Sequence, residues 1–285
     1  MKTLDPRNLS TKELHGFLLT AIAPRPIGFI STKSRKGISN LAPFSFFNVF
    51  SANPPIMIFS PARRVRDNTT KDTLVNCKET RQAVVNVVNY DMVQQMSLAS
   101  SEYHSETDEF KKAGFTPIDS VEIDVPRVAE SPVQFECEID EIKELGDQGG
   151  AGNLILARVV KIHVHSEFLN EDGQLDPLKL DLVARMGGAL YSRALTGAFE
   201  IPKPLSHLGI GFDNISKEIK ESELISSNAK ALLAGVEELP DTQTVNKFVK
   251  DYPEYIAKES DKKHKFAADL LEEQRIIHAW CVLLQ

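Results

Sequence analysis

The chain has little cysteine, one tryptophan, no excess of positive charge and no long apolar run. Its three cysteines, Cys77, Cys137 and Cys281, are odd in number and far apart in 285 residues. This excludes a disulfide framework and the paired-thiol spacing of a zinc site; the thiols read as packing residues in a reducing compartment. No stretch approaches the roughly 18 consecutive apolar residues of a membrane span. Met1-Lys2-Thr3-Leu4-Asp5-Pro6 lacks the apolar core of a secretory signal, so a cytoplasmic protein is expected. Thirty-three Lys and Arg against 40 Asp and Glu leave a net charge of −7. That balance argues against nucleic acid and membrane surfaces as partners, since both are polyanions. Neither G-x-x-x-x-G-K-[ST] nor a G-x-G-x-x-G between a strand and a helix is present, which removes the ATP-type phosphate loop and the Rossmann dinucleotide domain. His163-Val164-His165 places two imidazoles on one strand face, but no third ligand is near. They read as polar strand residues, with no metal expected.

What is there is an ordinary globular mixture, 42% hydrophobic and 26% charged, long enough for one large domain or a domain with an extension. Twelve of the 15 glycines precede residue 200, so the first part reads as strands and turns and the last 80 or so residues as helical. Strands are expected at Ile27–Thr32, Ile56–Phe59 and Ala83–Val88, with an irregular strand from Ile38 to Val49. A helix opens at Thr69–Thr73, started by a Thr or Asp cap. Residues 91–114 read as two short helices. Residues 133–145 alternate as a half-buried strand does, and 153–165 resume after Gly146–Gly152, giving a long hairpin whose glycine tip is expected to be mobile. Five or six antiparallel strands predict a mainly β fold, a closed or nearly closed β-barrel with helices. A change of composition after Pro202-Lys203-Pro204 predicts domains at 1–204 and 205–285, the second holding three or four amphipathic helices, with Lys265–Leu284 near continuous helical spacing. His207 is read as covering the joint.

Two segments carry chemistry. In Ala23-Pro24-Arg25-Pro26-Ile27 the flanking prolines hold Arg25 extended and aim its side chain. Ser31 and Thr32 bring two hydroxyls to a strand end. Five of the 15 phenylalanines fall within residues 41–60, interleaved with Ser45 and Asn48. Apolar faces with a few edge donors suit a flat ring system such as a flavin, although plain core packing explains any single Phe. The second segment, Arg63 to Lys71, holds four basic residues within nine positions and leads into a helix N-terminus. Free backbone N–H groups there favour an anion. A monophosphate would be held by Lys71, the Thr73 hydroxyl and one of the arginines.

Taken in order, Pro24-Arg25-Pro26-Ile27, Ser31-Thr32, Leu41-Ala42-Pro43-Phe44-Ser45-Phe46-Phe47, Pro54-Pro55-Ile56-Met57, Lys71-Asp72-Thr73 and Val84-Val85-Asn86-Val87 resemble the flavin-reductase-like, FMN-binding split-barrel family over about residues 10–200. The resemblance implies a six-stranded split barrel, a homodimer, and one FMN or FAD per subunit near the dimer interface. It places Ser31 and Thr32 beside the flavin, and Ala42, Ser45, Phe46, Phe47 and Asn48 along its ring. It places Ser60, Lys71 and Thr73 around the phosphate, with Arg64, Asp72 and Arg185 as further cofactor-binding candidates. Arg185-Met186-Gly187-Gly188-Ala189-Leu190-Tyr191 resembles a segment that often follows the barrel near the site. The implied activity is NAD(P)H-dependent flavin reduction, with nicotinamide as transient co-substrate and free flavin, a partner oxygenase or another acceptor receiving the electrons. A flavoprotein with a dedicated organic substrate and a non-catalytic flavin carrier stay open. No dedicated acid–base residue is expected, and the helical extension has no implied role.

Overall fold

Period-two alternation decides the first strands. Phe29 and Ile30 are both fully buried but on opposite faces of one strand, so this strand must be covered on both sides. The computed structural model describes residues 1–201 and 208–285 and separates them into two compact units, Met1–Ala198 and Phe199–Gln285. The expected boundary at 204/205, Pro202-Lys203-Pro204 and His207 lie outside the described residues.

The first unit contains β1 (Arg25–Pro26), β2 (Gly28–Lys33), β3 (Ser39–Phe44), β4 (Phe47–Ala52), β5 (Pro55–Phe59), β6 (Gln82–Val87), β7 (Pro117–Ile118), β8 (Arg127–Val128), β9 (Val133–Glu144), β10 (Asn153–Val164), β11 (Val183–Arg185) and β12 (Tyr191–Arg193). Its helices include α1 (Thr11–Ala21), α2 (Asp72–Thr80), α3 (Val93–Leu98) and α4 (Glu109–Ala113), followed by two four-residue helices, α5 (Pro177–Leu180) and α6 (Ala194–Gly197). Seven strands form one antiparallel sheet in the order β3-β2-β6-β9-β10-β5-β4. Its two edge strands, β3 and β4, are consecutive in sequence and separated only by Ser45 and Phe46. The sheet therefore curls until its edges approach, which makes the split barrel. β1, β11 and β12 form a separate three-stranded sheet.

One face of the large sheet holds Ile30, Phe44, Phe59, Val85, Cys137 and Ile155, covered by Leu74 and Cys77 of α2. Burial raises both Cys77 and Cys137 thiols, the latter to about 12, as expected of packing thiols. The other face sets Phe29 and Leu41 against Met96, Phe110 and Phe115 around α3 and α4. Gly28 lies where a Cβ would meet the Phe47 ring at 2.9 Å, so only glycine lets that ring lie on β2.

Several expectations need correction. The irregular strand at 38–49 is two strands, Ser39–Phe44 and Phe47–Ala52, broken at Ser45 and Phe46. Helix α1 was not anticipated, although Ser10 and Glu13 form a capping box in which the Glu13 amide donates to the Ser10 hydroxyl and the Ser10 amide to the Glu13 carboxylate. Helix α2 has no Thr or Asp cap: its N-cap is Lys71, with no side-chain hydrogen bond. The 146–152 tip is not a free loop. Gly150 N donates to Arg63 O at 3.0 Å, Arg63 N to Ala151 O at 2.9 Å, and Asn68 Nδ2 to Asp147 O at 2.9 Å.

The second unit contains α7 (Lys217–Glu221), α8 (Ser227–Ala234), α9 (Thr242–Asp251), α10 (Ser260–Glu272) and α11 (Ile276–Leu283), five helices among the described residues where three or four were expected. The pattern at Lys265–Leu284 is split between α10 and α11, because Gln274 takes a left-handed φ of 58°. The unit has its own core, including Leu233, Phe248, Leu270 and Trp280, and the Trp280 indole N–H donates to Leu233 O at 3.0 Å. Among the described residues no helix is long and apolar enough to cross a membrane.

Candidate functional site

The segment from Asn40 to Asn48 borders two cavities. The first, about 590 Å³, falls in the range of small-molecule sites. Its walls include Leu14, His15 and Leu18 of α1, Pro24 to Pro26, Ser45 to Asn48, Ser60, Gly150 and Gly152. Its character is apolar with a few polar edges: the His15 ring meets the Phe46 ring edge-on at 6.2 Å, and the Ser60 hydroxyl accepts from Asn153 N at 3.0 Å. The second cavity is smaller, about 100 Å³, and charged. Asn40, Ala42, Pro43, Arg64, Lys71, Asp72, Thr73, Glu109 and the 99–103 segment line it.

Lys71 stands where α2 begins. Its Nζ lies 5.2 Å from the centre of the Phe44 ring, and no ion pair engages it among the described residues. Burial first, and then the Arg64 charge, hold its pKa below the ordinary lysine value. An incoming anion would meet a desolvated cation beside the uncapped amides of a helix N-terminus. Thr73 Oγ1 donates to Asn40 Oδ1 at 2.8 Å, Thr32 Oγ1 donates to the same oxygen at 3.3 Å, and Asn76 Nδ2 donates to Thr32 Oγ1 at 3.0 Å. This buried chain ties α2 to β3.

The basic stretch divides by role. Arg63 is turned back on its own loop, donating to Asn68 Oδ1 at 2.7 Å and Asn68 O at 2.8 Å. Arg64 donates to Thr70 O at 2.7 Å and pairs with Glu102 at 3.4 Å. Arg66 pairs with Glu102 at 3.0 Å. Of the four basic residues, Arg64 and Lys71 reach the cavity wall.

Other expected site residues lie apart. Arg25 borders the larger cavity, but its guanidinium serves the backbone. It donates to Leu19 O, to Ile22 O at 2.6 Å and to Met186 O at 3.0 Å, and Nε reaches Ser45 Oγ at 3.3 Å. Burial and nearby Arg185 lower its pKa. Ser31 is fully buried and donates to Pro126 O at 2.6 Å. Ser31 and Thr32 line neither cavity. Arg185 pairs across the small sheet with Arg25 and lies over the Tyr191 ring at 4.6 Å, also outside both cavities. Asn48 is used locally, accepting from Val49 N at 2.8 Å. Sequence reasoning missed Asn40, Glu102 and Glu109 in the charged cavity and His15 in the apolar one. The Ser10–Glu13 capping signature could have pointed to α1; no local signal marks the other three.

Comparison with known proteins gives the family. Residues 20–180, more than half of the chain, match the model of the flavin reductase like domain. An uncharacterized protein of Halalkalibacterium halodurans is 38% identical over 192 residues, 67% of this chain and 91% of that protein. Among solved structures, nitrilotriacetate monooxygenase component B from Bacillus cereus is 30% identical with a TM-score of 0.66, covering 70% of this chain and 98% of its own. The 2-nitrobenzoate 2-nitroreductase of Pseudomonas fluorescens is 25% identical with a TM-score of 0.63, covering 72% and 98%. The chain belongs to the flavin reductase like domain family and has its split-barrel fold.

Proposed function

We propose that this member of the flavin reductase like domain family is an FMN-containing oxidoreductase that uses NAD(P)H to reduce flavin. The observation that carries the reading is the pairing of an anion cradle with an apolar cavity along one continuous segment, Asn40 to Asn48. Lys71, Arg64 and the uncapped amides of α2 fit a terminal phosphate. Phe46, Phe47 and the backbone of residues 42–48 fit the faces and edges of a flat ring. The small volume of the charged cavity favours a monophosphate, and hence FMN over FAD.

When bound, the flavin supplies the redox chemistry, accepting hydride from a nicotinamide. The chain binds and orients. Lys71 and Arg64 neutralise phosphate charge, Asn40 holds Thr73 and α2 in place, and Arg25 fixes the carbonyl end of α1 beside the ring cavity.

A homodimer is part of the reading. Phe17, Leu18 and Ile22 on and after α1, with Val49 and Phe50 on edge strand β4, are all exposed, and α1 buries none of its residues. A second copy would cover this apolar face. The Bacillus cereus relative, a monooxygenase component, supports a partner oxygenase as electron acceptor. The nitroreductase relative, with the apolar cavity, supports a second reading in which an organic substrate is reduced directly.

Mass determination of the ligand released on denaturation should give FMN, and light scattering should give a dimer mass. Mixing the yellow protein rapidly with NADH or NADPH should bleach it. A protein that neither retains nor takes up flavin refutes the whole reading. Bleaching by neither nucleotide refutes the reductase and leaves the carrier or another donor.

A further inference from the structure

The charged cavity carries an excess of the wrong sign for a phosphate. Two cations, Arg64 and Lys71, share its wall with three carboxylates, Asp72, Glu102 and Glu109. With all five ionised the wall is net negative, and a phosphate dianion would be repelled. Each carboxylate stands differently. Asp72 is in the first turn of α2, where the helix dipole stabilises it and the backbone fixes it. Glu109 is buried, 6% exposed, accepts from Leu41 N at 3.1 Å, and has its pKa raised by burial. It is anchored, and burial disfavours its charge. Glu102 is different. Its side chain is half exposed, it belongs to a stretch outside the regular elements between α3 and α4, and its contacts are with the cations themselves: Arg64 Nε at 3.4 Å and Arg66 at 3.0 Å.

We infer that Glu102 is a displaceable counter-ion of the phosphate site, which pairs with Arg64 and releases it to the phosphate of an incoming ligand, while Arg66, outside the cavity wall, keeps its pair with Asp67. This rests on the flavin-phosphate reading above and adds to it a residue that sets anion affinity and discrimination. The physical basis is exchange of partners. An arginine can give up an exposed carboxylate at small cost, because such a pair contributes little in water. It gains a phosphate with which it forms charge-assisted, bidentate hydrogen bonds. Glu102 can rotate into solvent without leaving a buried group unpaired, whereas Glu109 would leave the Leu41 amide without its acceptor. With Glu102 turned away, the two cations face two carboxylates, and the wall changes from net negative to neutral. A ligand without a phosphate has nothing to offer Arg64 and leaves Glu102 in place.

The test compares FMN with riboflavin, which shares the ring and polyol but lacks the phosphate. Apoprotein of the wild type, Glu102→Gln and Glu102→Ala is titrated with each by flavin fluorescence, with inorganic phosphate as competitor. Both variants should bind FMN roughly two- to fivefold more tightly, the range expected for removing one partly exposed competing charge. Riboflavin affinity should not change, and inorganic phosphate should compete at correspondingly lower concentration. Unchanged FMN affinity would overturn the inference, and weaker FMN binding would show that Glu102 positions Arg64 rather than competing for it. If the wild type itself fails to prefer FMN over riboflavin, the phosphate reading falls and this inference with it. If the wild type prefers FMN and the variants match it, the inference alone falls. Because Glu102 is exposed and outside regular structure, both variants should fold, which circular dichroism checks.

Discussion

The hydroxyl of Thr73, on the first turn of α2, donates to the side-chain oxygen of Asn40 on β3 at 2.8 Å. The same oxygen receives Thr32 at 3.3 Å. One amide thus sets the distance between a helix N-terminus and the strand beneath it. Asn40→Ala should leave two hydroxyls without their acceptor and cost about 1–3 kcal/mol of stability. It should also weaken FMN binding more than riboflavin binding, because α2 loses its support. Urea unfolding and flavin titration check both; equal losses for the two flavins would mean that the amide supports only the fold.

Lys71 should matter through its charge. Lys71→Glu should cost FMN binding at least the charge-assisted contact, about 1.5–3 kcal/mol, or roughly ten- to a hundredfold in Kd. Riboflavin should be affected far less. Unchanged FMN retention would remove Lys71 from the site.

Arg25 should matter through the backbone. Its guanidinium caps carbonyls at the end of α1 and reaches Met186 O at 3.0 Å. Arg25→Ala should destabilise the first unit by about 1.5–3 kcal/mol, the scale of a charged hydrogen bond, and Arg25→Lys should restore only part, since one ammonium cannot span the same acceptors. Chemical denaturation followed by far-ultraviolet circular dichroism measures this.

Glu136 gives an acid dependence. Its side chain is fully buried and accepts from Val121 N at 2.8 Å, Glu122 N at 2.7 Å and His163 Nε2 at 2.6 Å. Burial raises its pKa, but these bonds outweigh burial and hold it below the ordinary glutamate value. The unfolded chain therefore takes up this proton first as pH falls. The stabilisation is complete above the unfolded pKa, about 4.3, and is lost as pH drops through the folded value. Glu136→Gln should be less stable than wild type at neutral pH, with a shallower loss of stability in acid. Parallel acid slopes in urea melts would contradict the assignment.

Gly149 should not accept a side chain. A Cβ there would meet Arg64 O at 3.0 Å and Val65 Cα at 3.1 Å, both backbone atoms that cannot step aside. Gly149→Ala should push the 63–69 loop from the β9–β10 tip, at about 1–3 kcal/mol, and weaken FMN binding through Arg64. A variant with wild-type stability and FMN affinity would show that the tip yields freely.

The period of the apolar residues sufficed for the strands, because alternation such as that of residues 133–145 is a local property. Spacing and order of Pro24–Ile27, Leu41–Phe47 and Lys71–Thr73 sufficed for the family, since each motif is short and contiguous. The basic character of Arg63–Lys71 was equally legible. What it did not reveal was which charges are free. Arg63 is consumed by Asn68, five residues away; Arg64 and Arg66 meet Glu102, on a loop beyond α2 and β6; Glu109 joins Leu41 across 68 positions. Those partners are chosen by how the sheet curls and which loops it brings together, and loops distant in sequence leave no periodic signal. The docking of Gly149 and Gly150 on the basic loop has the same origin: two glycines announce a turn, but only the packed barrel supplies the backbone they lie against. Residue type and spacing determined that a flavin-reductase-type barrel with a basic stretch ahead of a helix would form. Long-range packing decided that Ser31 and Arg185 stand outside both cavities, that Arg25 serves the backbone, and that Asn40, Glu102 and Glu109 belong to the charged one, because a side chain's role depends on what faces it after folding.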